Sequence, residues 1–209
     1  MAKKCHYHLK KVQKKCIIEA TNKGVAKMRV FVALELPEQT KDNLARSQME
    51  MSHFANGGNF VARENLHVTL HFLGEVAESD LIYVQSAMDS IKNLPAPTLA
   101  ISQFAVLRTN DIICAKFRKS TELQTLHDAL GKALEQNRFS VERRAYRPHV
   151  TVVRKYNFSL PFSEVTKSVT VFNKPFVAPK VTLFCSTLTK QGAIYQPLYT
   201  VTLPTESQI

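Results

Sequence analysis

The sequence predicts an α+β fold built on an internally duplicated unit, and three observations carry that expectation. Segments of alternating apolar residues and segments with helical spacing occur in mixed order, and most of the former are short. The triplet His67-Val68-Thr69 returns 82 residues later as His149-Val150-Thr151. The same offset, without a gap, carries Val30-Phe31-Val32-Ala33 onto Ile112-Ile113-Cys114-Ala115, Leu44 onto Leu126, Leu70 onto Val152, and Leu99 and Ile101 onto Val181 and Leu183. One H-x-T triplet would be an ordinary coincidence; two at equivalent points of a strand, helix, strand repeat are a signal.

Met28 to Leu36 alternates as a first strand and stops at Pro37. A helix is expected from Glu38 to Phe54, with Leu44, Met51 and Ala55 near one face and acidic Glu38 in its first turn. Asn56-Gly57-Gly58-Asn59 reads as a break, and Phe60 to Glu64 as the approach to the first H-x-T strand, which ends at Gly74. The spacing of Leu81, Val84, Met88 and Ile91 predicts a second helix between Ser79 and Lys92, ended by Pro95 and Pro97. Thr98 to Leu107 and Ile112 to Phe117 are strands around the turn Arg108-Thr109-Asn110-Asp111. Leu123, Leu126, Leu130 and Leu134 give the third helix its buried stripe between Thr121 and Asn137. After the second H-x-T strand, Lys167 to Phe172, Val181 to Thr187 and Tyr195 to Leu203 read as strands.

A chain of 209 residues with 44% apolar content can form one domain or two intimate lobes around a real core. It has neither an apolar run long enough for a bilayer nor a secretory signal pattern, so a cytoplasmic protein with no membrane partner is expected. The four cysteines lack C-x-x-C spacing and read as reduced thiols, Cys114 and Cys185 within strands. Cys5, His6, His8 and Cys16 are zinc-ligand types, but their spacing fits no common zinc module, and no metal is expected. The net charge of +11 is concentrated at one end: eight lysines stand in residues 1–27 against Glu19 alone. That segment reads as an unstructured basic extension, or as the product of an upstream start codon before a domain beginning near Met28.

On an extended chain a histidine and a threonine two positions apart share one face, about 6.6 Å apart, while Val68, Leu70, Val150 and Val152 turn to the core. Two imidazoles facing each other can act as acid and base near neutral pH, with a bell-shaped rate profile. Thr69 and Thr151 can donate to nonbridging oxygens of a phosphate. His71 is expected on the same face as His67 but about 13 Å along the strand, too far to share an ion, and meeting groove or solvent. The stretch Arg138 to Arg147, the most basic of the core, leads into His149 and places Arg143, Arg144 and Arg147 beside a candidate anion site. No Gly-rich phosphate loop with Lys occurs, so no nucleotide cofactor is indicated.

These residues resemble a known family. The pair His67-Val68-Thr69-Leu70 and His149-Val150-Thr151-Val152 is similar to the twin HxTx motif of the two-histidine (2H) phosphoesterases, above all the bacterial RNA 2′,3′-cyclic phosphodiesterases, also called 2′-5′ RNA ligases. Arg29 to Pro37, Glu64 to Glu75, Pro148 to Arg154, Phe184-Cys185-Ser186 and Tyr195 to Leu198 share the resemblance, which covers residues 28–203. It implies a bilobal fold of two pseudo-symmetric lobes with the cleft between them, and metal-independent hydrolysis of RNA 2′,3′-cyclic phosphate ends to a 2′-phosphate. It implies His67 as proton donor, His149 as proton acceptor, and Thr69 and Thr151 as phosphate-binding residues.

Arg154 matches a family arginine, yet alternation puts it on the face opposite His149 unless the strand bulges. Arg144 and Arg147 are further candidates for substrate contact, and Phe60 and Tyr146 for stacking on a terminal base. Two departures stand out: the basic extension has no counterpart, and Thr187 to Ala193 carries only Lys190 where relatives often carry several arginines. The expected partners are RNA 3′ ends or small cyclic phosphates, met by a monomer. Reversible 2′-5′ ligation at the same site and a non-catalytic RNA-end binding module are the alternatives.

Overall fold

The computed structural model describes residues 19–20, 26–107, 111–190 and 192–205. Most of the basic extension, including Cys5, His6, His8 and Cys16, lies outside the described residues, as does the expected turn Arg108-Thr109-Asn110-Asp111 except for Asp111. A two-residue strand β1 (Glu19–Ala20) pairs with the start of β2 (Ala26–Glu35), followed by α1 (Glu38–Ser52), β3 (Ala55–Phe60) and β4 (His67–Ala77). Next come α2 (Leu81–Asp89), β5 (Thr98–Leu99), β6 (Ile101–Leu107), β7 (Ile112–Phe117) and α3 (Thr121–Gln136). The chain continues through β8 (His149–Phe158), α4 (Phe162–Val165) and β9 (Phe176–Val177), and closes with the hairpin of β10 (Lys180–Thr189) and β11 (Gly192–Thr202).

Local chemistry accounts for the main helices. Pro37 precedes the first turn of α1, where its fixed φ suits the entry and its missing N–H costs nothing. Ser120 caps α3 by accepting from the Leu123 N–H at 3.3 Å. Leu123, Leu126, Leu130 and Leu134 are each at most 1% exposed, and burying such a stripe contributes about 1.5–3 kcal/mol per side chain. No helix among the described residues is long and apolar enough to cross a membrane.

Two antiparallel sheets of mixed α+β architecture result. The first runs β4-β2-β10-β11 and the second β3-β8-β7-β6, while β5 and β9 form a small separate pair. At an offset of 82, β2, α1, β4 and β6 correspond to β7, α3, β8 and β10. The halves interlock, because the last strand of each unit enters the other unit's sheet: β10 pairs with β2, and β6 with β7. The helices cross as well, α1 packing on β3 and β8, and α3 on β4. Neither sheet is complete without chain from both halves, and the buried apolar side chains form one continuous core.

Each H-x-T strand contains one extra residue at the same place. In β4, Thr69 pairs with Ala33 and His71 with Val32, so Leu70 is unopposed; in β8, Thr151 pairs with Cys114 and Val153 with Ile113, leaving Val152 unopposed. A β-bulge of this kind reverses the alternation beyond it. Both strands therefore carry two successive buried residues, Leu70-His71 and Val152-Val153, before an exposed one, Phe72 and Arg154. The second bulge is held from outside its strand. The Val152 carbonyl accepts from the Val61 N–H at 2.9 Å and from the buried amide of Gln48 on α1 at 2.7 Å, and the same amide donates to the Val61 carbonyl at 2.9 Å.

Two segments differ from expectation. Asn56 to Asn59, read as a break, is the middle of β3, an edge strand laid against β8. Its glycines allow the approach, since a Cβ on Gly58, whose φ is +137°, would come within 3.2 Å of the Tyr156 backbone. Lys167 to Phe172, read as a strand, begins as a helical turn that buries Val165 and Val169. Its polar groups go to α1: the Thr170 N–H donates to Glu50 at 2.6 Å and its carbonyl accepts from the Ser47 hydroxyl at 2.8 Å, so no ladder is needed.

Replacing Gln48 with Leu removes the side-chain donor from the buried Val152 carbonyl of the bulge and from the part-buried Val61 carbonyl. Urea unfolding should show a loss of about 1–3 kcal/mol; a change below about 0.5 kcal/mol, the size expected of an ordinary surface substitution, would mean that the bulge holds itself.

Candidate active site

His67 and His149 open β4 and β8, and these two strands meet across the interface of the sheets. Each imidazole is fixed in the same way. His67 Nδ1 donates to the Asn65 carbonyl at 2.7 Å, and His149 Nδ1 to the Arg147 carbonyl at 2.8 Å. A carbonyl only accepts, so Nδ1 carries the hydrogen in both rings and Nε2 is the atom left for chemistry. The turn that presents Asn65, Arg63–Asn65, is tied to α1 through Arg63, which meets Glu38 at 2.8 Å and Asp42 at 2.6 Å. The Asn65 amide donates to the Ala193 carbonyl at 2.7 Å and so fastens the β10–β11 hairpin beside the site.

His67, Thr69, His149 and Thr151 line one small cavity of about 30 Å³, together with Arg154 and Tyr195. A larger cleft of about 540 Å³ adjoins it, sharing His67, Thr69, Arg154 and Tyr195. The His67 Nε2 and the Thr69 hydroxyl are 3.1 Å apart, so the neutral ring accepts from the threonine. Arg154 reaches the cavity because the Val152 bulge turns it back to the face of His149 and Thr151. The equivalent bulge at Leu70 has the opposite effect on His71, which is buried instead of meeting groove or solvent as alternation predicts. There its Nε2 donates to the His127 carbonyl at 2.9 Å and its ring stacks on His127 at 4.3 Å.

The two histidines sit in unequal surroundings. The His67 ring packs against Phe31 at 5.0 Å and Tyr195 at 5.3 Å, with Phe184 at 6.4 Å between centroids. At the offset of 82 the place of Phe31 is taken by Ile113, so His149 lacks that ring. Burial pushes His67 down to about 4, reinforced by the positive charges of Arg154 and His149 and opposed by its bond to the Asn65 carbonyl. Burial thus favours the neutral ring of His67 through the physiological pH range. Phe31, Phe184 and Tyr195 were not singled out as site residues from the pattern, because an aromatic in an alternating strand reads as core.

The other candidates fall away from this cavity. Arg144 is exposed and paired with Glu142 at 2.6 Å, and Arg143 and Arg147 are exposed, the last giving its carbonyl to His149. Phe60 pairs with Val153 and packs against the core. The Tyr146 ring stacks on His127 at 3.9 Å, and its hydroxyl donates to the Thr69 carbonyl at 3.0 Å, with burial raising its pKa. Tyr146 thus braces the strand that carries Thr69, one face of its ring already occupied. Among the described residues no group of three or more His, Cys, Asp or Glu side chains gathers. Cys114 and Cys185 are both buried.

Comparison with known proteins shows the family. The family model of the 2′-5′ RNA ligase superfamily matches residues 40–177. The chain belongs to that superfamily. It is 30% identical over 172 residues to the RNA 2′,3′-cyclic phosphodiesterase of Methanocaldococcus jannaschii, covering 81% of this chain and 97% of the relative. The enzyme of the same name from Thermotoga maritima is 23% identical over 176 residues, covering 82% and 94%. The crystal structure of E. coli LigT complexed with 3′-AMP shares the fold, with a TM-score of 0.71 at 23% identity, over 85% of this chain and 98% of that one.

Histidine proton and nitrogen NMR should find His67 in the Nδ1–H form and unprotonated until the pH falls well below 6, towards about 4. A His67 resonance titrating near the ordinary 6.5 would show that the aromatic surround does not exclude water.

Proposed function

We propose that the protein hydrolyses 2′,3′-cyclic phosphate ends of RNA to 2′-phosphates by acid–base catalysis between His67 and His149, without a metal. The observation that carries this reading is the convergence of four side chains from two equivalent strands, His67, Thr69, His149 and Thr151, on one cavity. The names of the relatives support the substrate class.

In this reading the phosphate of the cyclic end lies between the strands. The Thr69 and Thr151 hydroxyls donate to its nonbridging oxygens, and the Arg154 guanidinium, lining the same cavity, balances its charge. Nε2 of His149 takes a proton from water as the water oxygen attacks phosphorus. The bond from phosphorus to O3′ breaks, and Nε2 of His67 gives its proton to that oxygen. The products are a 2′-phosphate and a free 3′ hydroxyl, with His149 protonated and His67 neutral; exchange with solvent resets both.

An acid must hold a proton, and burial works against one on His67. The substrate supplies the difference. A phosphodiester anion placed against Nε2 offsets the charges of Arg154 and His149 and favours the imidazolium, which then donates to the phosphate instead of accepting from Thr69. The enclosed histidine is in this way charged only when an anion is present. His149, partly exposed and outside the aromatic surround, suits the base that must meet water.

The reading is tested by product analysis of a short RNA ending in a 2′,3′-cyclic phosphate, incubated in EDTA. Wild-type protein should give the 2′-phosphate, and His67→Ala or His149→Ala should each lower turnover by at least about 100-fold, the low end for a positioned acid or base, while still binding the RNA. Unchanged RNA with wild-type protein, or a rate indifferent to both substitutions, would contradict it.

A further inference from the structure

Beyond the cavity of the histidines and threonines, the larger cleft continues between β2, β4 and the β10–β11 hairpin. Its outer part is defined by Arg29, Phe72 and Leu188, and the last two are large apolar side chains 50% and 66% exposed. Arg29 lies on the same face of β2 as Phe31, one alternation further from His67, about 7 Å along the strand. Its guanidinium stacks on the Phe72 ring at 4.8 Å. Glu75 stands opposite Arg29 in the ladder, yet among the described residues Arg29 has no ion pair and no hydrogen bond from its side chain.

The positions of Phe72 and Arg154 are related by the repeat, and both return to the cleft through equivalent bulges. The cleft thus holds two arginines without acidic partners among the described residues: Arg154 at the reacting centre, and Arg29 one strand alternation beyond the Phe31 that packs on His67, with an aromatic ring beside it. A ligand with a single phosphate needs only the first. A cation fixed on a ring at that remove matches a second phosphate joined to the first through a nucleotide, with apolar surface beside it for a base or ribose.

We propose that Arg29, held on Phe72, binds the phosphodiester linkage immediately 5′ to the reacting nucleotide, so that the site selects an oligonucleotide end over a cyclic mononucleotide. This rests on the hydrolase reading above. The hairpin, with only Lys190 in the loop region, leaves Arg29 as the cation that lines this end of the cleft.

Three substrates test it: adenosine 2′,3′-cyclic phosphate, a diadenosine nucleotide ending in a 2′,3′-cyclic phosphate, and the same dinucleotide with a neutral methylphosphonate linkage. For wild-type protein kcat/KM should be about tenfold higher for the charged dinucleotide than for the neutral one, a size expected of one charged hydrogen bond in partly exposed surroundings. For Arg29→Gln that ratio should fall close to one, and Arg29→Lys should restore part of it. Equal rates on the two dinucleotides with wild-type protein, or an Arg29→Gln protein that keeps the wild-type ratio, would overturn the subsite while leaving the hydrolase reading in place. Failure of wild-type protein to hydrolyse any of the three would instead remove the hydrolase reading, and this inference with it.

Discussion

The site depends on one geometric constraint: two strands that must alternate for three residues and then stop alternating. His67 and Thr69 face the cleft because β4 is regular between them, and His149 and Thr151 do so on β8 for the same reason. One residue later each strand bulges, and the same departure buries His71 and Val153 while returning Phe72 and Arg154 to the cleft. A strand without the bulge would aim Arg154 into the core, where an unpaired guanidinium is untenable. The Val152 bulge is secured by Gln48, whose amide is almost fully buried. A polar side chain on α1, in the first half of the chain, thereby helps to set the aim of an arginine in the second.

That coupling is a consequence of how the halves interlock. Because β6 and β10 exchange sheets and α1 and α3 cross over, the two H-x-T strands cannot be positioned by separate folding of two lobes. The cavity lies between β4 and β8, and one shared core packs behind both strands. The duplication supplies equal polar groups on the two sides. The difference between the sides comes from residues that the duplication does not match, Phe31 against Ile113 and the hairpin's Tyr195, which enclose one histidine and leave the other open.

Much of this was legible in the sequence. The alternation of His, Val and Thr, the leucine stripe of α3 and the gapless offset of 82 are local or periodic features, and they specify which residues correspond. They do not specify which strands pair. The exchange of β6 and β10 is a long-range choice with no periodic signature, and the bulges at Leu70 and Val152 are visible only against their partner strands. Asn56 to Asn59 had the composition of a turn yet pairs with β8, where Gly58 lies too close to the Tyr156 backbone to carry a Cβ comfortably. Tyr146 preceded the right strand but spends its ring on His127 and its hydroxyl on the Thr69 carbonyl, a use that only the packed α3 makes available.

The central claim is that the enclosed histidine is neutral until an anionic phosphate charges it. Calorimetry of adenosine 2′,3′-cyclic phosphate binding to the His149→Ala protein, repeated in buffers of different ionisation enthalpy, reads that event directly, because the ligand is fully ionised and its turnover is slowed far below the rate of binding. The account predicts net proton uptake on binding, growing as the pH is lowered from about 8 towards 6, with uptake abolished when His67 is also replaced. Binding without proton uptake across that range would contradict it.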